Sequence, residues 1–483
     1  MKVRLLSPAG DPLWAKAPDP AWADRCADLE LPLVLDAMAD GEELTRTVCR
    51  QLLDAPLQST ADILWRQDVL RDCLARPEPI CQMMQLCREA ARRRQETWFH
   101  RDPAYLPSFY DSSADLLKIY LEALVAIRRV LQAEAFASQG LRELSALLCR
   151  ELSDDYIDQI RPLEDAIRDP AGLLISAGFG PYLQGVGYRK RRRARGLSEL
   201  HWLVLPSFTL EEQDTAGAKD LDARRDRAIN EVACAMAQAA DSLQAFTEEL
   251  QRELAFYLGA MNLHGKLSAL GLPLCFPRVS QAGRSWQGLY DAGLALASGA
   301  AVVGNTLEDA APMCLITGAN QGGKTTFLRS VGQCQLMAQC GLFVCAESCR
   351  LPLRQQVYTH FKREEDDTLG SGKLEEELAR MSAIVDGLRP GAMLLSNESF
   401  ASTNDREGSE IFRQITDALL QRGIEVFAVT HLQGYAAAFA RRAEVLCLRA
   451  QRQADGSRTF RMEPGAPQAT AYGEDLYRRI FAP

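Results

Sequence analysis

No C-x-x-C pair occurs among the fourteen cysteines, and the closest group, Cys340, Cys345 and Cys349, lacks nearby histidines to complete a zinc site. Reduced and mostly buried thiols are therefore expected. A long apolar run is missing too. Met1 to Pro8 carries no signal-type segment, and nothing further along approaches membrane-spanning length, so a soluble, cytoplasmic protein with no membrane partner is expected. Nor is there an excess of base. A net charge of -9 and a pI near 5.4 argue against coating nucleic acid by bulk charge and leave room only for a local basic patch. Internal repeats and low-complexity segments are absent as well. What is present is 483 residues, 47% of them hydrophobic. That is too much chain for one core, and about two to four domains are expected.

Strand signals are nearly absent from residue 29 to 165. Apolar residues there recur at three- and four-residue spacing, as in Leu116, Leu117, Ile119, Tyr120, Leu124, Val125, Ile127 and Leu131, which predicts helices. After Asp169-Pro170, the runs Leu173 to Ser176 and Gly185 to Tyr188 flank the turn-rich Gly178-Phe179-Gly180-Pro181. A short antiparallel hairpin follows from that pattern, with Trp202 to Leu205 as a further strand. Residues 218 to 268 return to one long helical pattern, read equally as a lever between domains or as a buried bundle helix.

Beyond Gly271-Leu272-Pro273 the pattern alternates. Strands are expected at Met313 to Thr317, Ala392 to Ser396 and Glu425 to Thr430, with helices at Lys324 to Cys340 and Ser409 to Gln421. Such alternation implies a parallel sheet with helical crossovers. Near the end, Val445 to Leu448 and Thr459 to Met462 bracket the turn signal Asp455-Gly456. The fold class is thus multidomain: a mostly α-helical core and lever region with a small β insertion, then an α/β P-loop domain. The boundaries read 1–165 for the helical core, 166–217 for the β insertion, 218–270 for the returning helix and 271–483 for the P-loop domain.

Gly318-Ala319-Asn320-Gln321-Gly322-Gly323-Lys324-Thr325 fits G-x-x-x-x-G-K-[ST] between a predicted strand and a predicted helix. Successive backbone N–H groups and a helix N-terminus can hold phosphates there, and glycines permit the close approach. In that arrangement Lys324 reaches the β- and γ-phosphates of ATP and the Thr325 hydroxyl binds Mg²⁺. Some seventy residues on, the apolar strand at Met393 runs into Asn397-Glu398. A magnesium-water acceptor is needed at the first position and a residue that activates water at the second. Asn397 can accept a hydrogen bond but brings no negative charge, so Mg²⁺ affinity is expected to fall, and hydrolysis is a separate expectation from binding. His431 ends the next predicted strand, where it can meet the γ-phosphate or the attacking water.

This order of motifs resembles the ATPase domain of the MutS family of DNA mismatch-repair proteins, within the wider ABC-type ATPases. Thr317 to Arg329, with Thr326 in its phosphate-loop helix, is similar to T-G-P-N-M-G-G-K-S-T-[YF]-[LM]-R. Asn397 to Gly408 stands where the family has D-E-[IL]-G-R-G-T-S-T-x-D-G, and Thr430-His431 matches its T-H. Upstream, Ile63 to Leu70 is similar to a helix near the start of the family's core domain, and Ala471-Tyr472-Gly473 to an S-Y-G before its last helix. Val302 to Asn305 is similar to the x-V-P-N segment, which implies that backbone near Asn305 borders the base.

The resemblance implies an ATP-dependent change of shape in a homodimer, with DNA as partner. It also shows departures. The chain starts at the core domain, so mismatch-reading and connector domains are not expected, and 170–215 is too short for long clamp arms. The trans-acting signature G-x-S-[TL]-F-x-x-E-[ML] faces Gly370-Ser371-Gly372-Lys373-Leu374-Glu375-Glu376-Glu377-Leu378, where Glu377 matches and the serine does not. The dense basic run Arg189, Lys190, Arg191, Arg192, Arg193 and Arg195 lies where the clamp would meet DNA. Arg88, Arg92, Arg93 and Arg94 have the spacing of a solvated or ion-paired helix face. The alternative to an ATPase is a nucleotide-gated scaffold or protein-binding module with little turnover, favoured by Asn397 and the altered signature.

Overall fold

The computed structural model describes residues 1–9, 19–96, 106–155, 157, 175–179, 185–190, 215–281, 283–319, 321–363, 372–453 and 458–467. Its N-terminal half is helical: α1 (Trp22–Asp28), α2 (Leu31–Ala39), α3 (Glu43–Asp54), α4 (Thr60–Ala75), α5 (Pro77–Glu96), α6 (Leu106–Ala133) and α7 (Gln139–Glu151). Local chemistry sets several ends. Ser59 caps α4 by accepting from the Asp62 N–H at 3.4 Å. Pro77, which lacks an N–H to donate, starts α5 immediately after α4 has stopped.

A two-stranded antiparallel hairpin follows, β1 (Ile175–Phe179) and β2 (Gly185–Lys190), then the single helix α8 (Thr215–Ala269). The hairpin agrees with the sequence pattern, but β1 continues through Gly178 and Phe179, which the sequence assigned to the turn. A β-bulge between Ser176 and Gly178 lets the strand continue through these residues. The expected strand at Trp202 to Leu205 lies outside the described residues.

The described chain divides into two compact units. One comprises Met1–Arg4, Glu78–Ala137 and Leu141–Leu254; the other comprises Leu5–Pro77, Ser138–Gly140 and Ala255–Pro483. This differs from the sequence boundaries, which joined residues 5–77 to the helices after them. In the first unit, Ala90 of α5, Leu116, Leu117 and Tyr120 of α6 and Ala240 of α8 form a buried cluster. The arginine-rich face of α5 is ion-paired as its spacing implied: Arg92 meets Glu89 and Glu96, and Arg93 meets Glu122.

The second unit carries β3 (Arg278–Ser280), β4 (Arg284–Leu289), α9 (Ala292–Ser298), β5 (Asn305–Asp309), β6 (Met313–Thr317), α10 (Lys324–Gln339), β7 (Ser348–Pro352) and β8 (Val357–Phe361). It continues with α11 (Lys373–Gly387), β9 (Met393–Asn397), α12 (Asp405–Gln421), β10 (Glu425–Val429), α13 (Gln433–Phe439), β11 (Val445–Arg452) and β12 (Arg458–Pro464). Six strands form one sheet in the order β12-β11-β6-β10-β9-β8, parallel except for β12; four form a second, β3-β7-β4-β5. Along β6, Met313 and Leu315 join the core that Met381, Phe412, Tyr435 and Phe439 supply from α11, α12 and α13.

The N-terminal helices of this unit are tied to it by buried polar bonds. Arg25 donates to the Val357 carbonyl at 2.9 Å, and Arg66 donates to those of Leu6 and Cys340 at 2.8 and 3.1 Å. These bonds partner part of each buried guanidinium group, leaving Arg25 Nε and Arg66 Nη2 without an acceptor among the described residues.

Candidate functional site

Three parallel strands deliver their carboxyl ends to one edge. β6 runs into the Gly318 loop, β9 into Glu398 and β10 into Thr430-His431. The register fixes their level: Val429 pairs with Ile316 on one side and Asn397 on the other. β6 is also where the strand order turns, with β10, β9 and β8 to one side and β11 and β12 to the other. Crevices at such reversals are where open α/β sheets collect ligands.

The loop requires its glycines. Gly318 has φ 123° and Gly323 φ 88°, and a Cβ at Gly318 would stand 2.9 Å from the Ala450 nitrogen of β11. Gln321 holds φ 59° without that freedom. Asn320 lies outside the described residues. Gly323 caps α10, whose first N–H groups open toward the loop.

Lys324 is buried, and its ammonium donates to the carbonyls of Gly318 and Ala319 at 2.9 and 3.0 Å. Burial pulls its pKa down to about 8; the Glu398 carboxylate opposes that and the Arg458 charge adds to it. Thr325 donates its hydroxyl to Asn397 Oδ1 at 3.2 Å. Glu398, at φ 56°, faces His431 with 3.0 Å between Oε1 and Nε2. That same nitrogen stands 3.4 Å from the Lys324 ammonium. Since an ionised carboxylate can only accept, the imidazole Nε2–H is donated to Glu398, and the longer approach to Lys324 is then no hydrogen bond. The His431 hydrogen bond holds the Glu398 carboxyl below the usual range, against the effect of burial, with Lys324 and Lys362 helping.

One cavity of about 780 Å³ is lined by Gln321 to Phe327, Ser330, Glu398, His431, Leu289 to Asp291, Leu294, Ala301 to Val303, Asn305 and Phe460. Its lining mixes polar and apolar side chains. Leu294, Val303 and Phe460 are 40%, 42% and 49% exposed, which leaves apolar surface for a flat, weakly polar group. Gln321 to Thr326 of the loop and its helix thus share this cavity with Glu398, His431 and Asn305. Asn305 Oδ1 accepts from the Met462 N–H at 2.7 Å and fixes β12 beside the cavity.

Other residues singled out in the sequence lie elsewhere. Arg189 and Lys190 belong to β2 in the first unit. Arg191, Arg192, Arg193, Arg195, Gly370, Ser371, Asp455-Gly456 and Ala471-Tyr472-Gly473 lie outside the described residues. Glu377 accepts from Ser402 at 2.9 Å and does not line the cavity. A neighbouring network had no motif to announce it: His360 Nδ1 contacts Ser399 Oγ at 2.6 Å, and Ser399 contacts Ser396 at 2.6 Å. Burial takes His360 to about 4, so it is neutral. The bonds clamp the turn in which Glu398 and Phe400 both have positive φ.

Two family models match the chain, the MutS2 N-terminal domain over residues 58–270 and MutS domain V, the ATPase domain, over 314–473. The chain belongs to the MutS family. It is 32% identical over 126 residues to Endonuclease MutS2 of Thermus thermophilus, covering 26% of this chain and 17% of that protein. It is 30% identical over 174 residues to DNA mismatch repair protein MutS of Thermus aquaticus, covering 36% and 22%. With DNA mismatch repair protein MSH3 of Pyricularia oryzae it shares 32% over 144 residues, 29% and 12%. The matched stretch is thus about a fifth or less of each relative's length.

Proposed function

We propose that the second unit binds ATP with Mg²⁺ and hydrolyses it, through a P-loop, ABC-type domain occupying 271–483. The carrying observation is that Lys324, Thr325, Glu398 and His431 line one cavity beside a glycine loop, large enough for a nucleotide, with Asn397 accepting from Thr325. The loop N–H groups, the N-terminus of α10 and the Lys324 ammonium suit the phosphates. Thr325 and Asn397 offer two neutral oxygens to a hard cation, which fits only if phosphates and water complete the shell. When bound, magnesium neutralises phosphate charge. Leu294, Val303 and Phe460 suit the base. Glu398, kept anionic by His431, is the acceptor for a proton from attacking water, and His431 holds it in position until then.

Single-turnover hydrolysis separates this from a nucleotide-gated scaffold, which the neutral Asn397 favours. Glu398→Gln is expected to slow the chemical step about a hundredfold or more while leaving ATP bound. Equal, near-zero rates in the wild type and the variant would establish the scaffold instead.

The names of the relatives and the basic run of 189–195 support DNA as the partner, gripped or released as nucleotide alters a homodimer joined through this domain. The helices before residue 165 and α8 would act as core and lever, with 166–217 as the insertion that meets DNA. Retention of four-way and duplex DNA at low salt is expected to drop steeply with salt and to weaken about tenfold or more when these basics become glutamine. Unchanged binding in that variant removes the patch from the reading.

A further inference from the structure

Beside the glycine loop stands a cation that neither the loop motif nor the strand-end residues account for. Arg458 opens β12, and its Nη1 donates to Gln321 Oε1 at 2.8 Å. Gln321 belongs to the loop, lines the cavity and sits in a left-handed backbone conformation that a glutamine rarely adopts. β12 runs close by: a Cβ on Gly323 would be 3.4 Å from the Phe460 Cα, and Asn305 anchors the strand at Met462. The guanidinium is near enough to Lys324 for the two positive charges to oppose one another. Among the described residues, the Arg458 side chain meets the neutral Gln321 amide.

Lys324 lines the cavity and Arg458 stands beside its loop residue Gln321, with Lys362 close enough to affect Glu398; Glu398 and the buried Asp291 are the acids of the lining. Asn397 adds no negative charge where a metal-holding carboxylate is expected. A guanidinium with one N–H committed to Gln321 keeps others for phosphate oxygens.

We propose that Arg458, held over the loop by Gln321, binds the polyphosphate chain of the nucleotide and supplies charge neutralisation that Asn397 withholds from the metal. The proposal rests on the ATP reading above. Its consequence is nucleotide binding that depends little on magnesium.

Titration calorimetry of the full chain with ATP, in EDTA and in excess Mg²⁺, tests it. The wild type is expected to bind in EDTA, and Arg458→Gln to bind about tenfold more weakly there, with a smaller loss in Mg²⁺. Arg458→Lys, which keeps charge without the fork, should fall between. Gln321→Ala leaves the arginine in place but untethered, and a weaker version of the same loss is expected. Wild type and Arg458→Gln within about twofold in EDTA would overturn the inference alone. Absence of ATP binding by the wild type under both conditions would overturn the ATP reading with it. Should Arg458→Gln not fold, the other two variants decide: weaker binding in EDTA supports the role, and equality overturns it.

Discussion

Glu425→Ala is expected to cost about 3–5 kcal/mol of stability, read as a lowered urea midpoint of the second unit. Glu425 begins β10 and is 3% exposed. Arg284 of β4 donates to one carboxylate oxygen, and the Arg354 Nε lies 2.8 Å from the other. Arg284 also donates to Asp309 at 2.6 Å and to the Ala311 carbonyl at 3.1 Å, and lies over the Phe427 ring. One carboxylate thereby joins the two sheets and balances two guanidinium groups. Burial lowers the pKa of both arginines, to about 10 for Arg354, with Arg284 adding to that shift. Such a shift marks cations short of solvent. Alanine would leave Arg284 with Asp309 as its one acid and take Arg354's acid away, so the loss comes mainly from stranded charge. Glu425→Gln keeps the shape and one acceptor and should lose less. Glu410→Ala, at an exposed pair with Arg413 on α12, is the control, with its midpoint expected to stay in place. An unchanged midpoint for Glu425→Ala would show that the network carries no net stability.

The parts of this molecule legible in the sequence are those where local geometry dictates residue type. β6 spans Met313–Thr317 as read, and α10 runs Lys324–Gln339 against an expected Lys324 to Cys340. The loop between them needs glycine at Gly318 and Gly323, and that need is what makes the motif visible. Buried parallel strands such as β9 and β10 read as continuous apolar runs because both faces are covered.

The four-stranded sheet was not legible. β3 is three residues long, and its partner β7 lies some seventy residues away, so neither periodicity nor a turn signal announces the pairing. Nor could spacing alone assign helices α1 to α4 to the C-terminal unit. Arg66 is informative only once Cys340 is beside it, and Gln339 only once Leu57 is. Around the cavity, Lys324, Glu398 and His431 are singled out by motif order, while Phe460 and the neighbouring Arg458 are not. Their only signal is position on the hairpin that packs against the loop, which folding creates.

The largest effect on nucleotide binding is expected at Lys324, and its sign with pH distinguishes a ligand role from a structural one. Lys324→Ala should weaken ATP binding about a hundredfold, since a buried charged donor to phosphate is removed. In the wild type the folded pKa of about 8 lies below the ordinary 10.5. Between those values the unfolded chain binds the proton and the folded chain does not. Stability of the ligand-free protein therefore carries the full burial penalty below pH 8 and gains as pH rises from about 8 toward 10.5. ATP binding must run the other way, because phosphate selects the protonated amine: affinity is level below about pH 8 and falls above it, toward tenfold per unit. Lys324→Ala should abolish both slopes, leaving stability and residual affinity flat across the window as far as this group is concerned. Calorimetric titrations at pH 7, 8 and 9, paired with thermal unfolding without ligand, read both slopes at once. If affinity and stability rise together with pH in the wild type, Lys324 is a buried structural amine and does not hold phosphate.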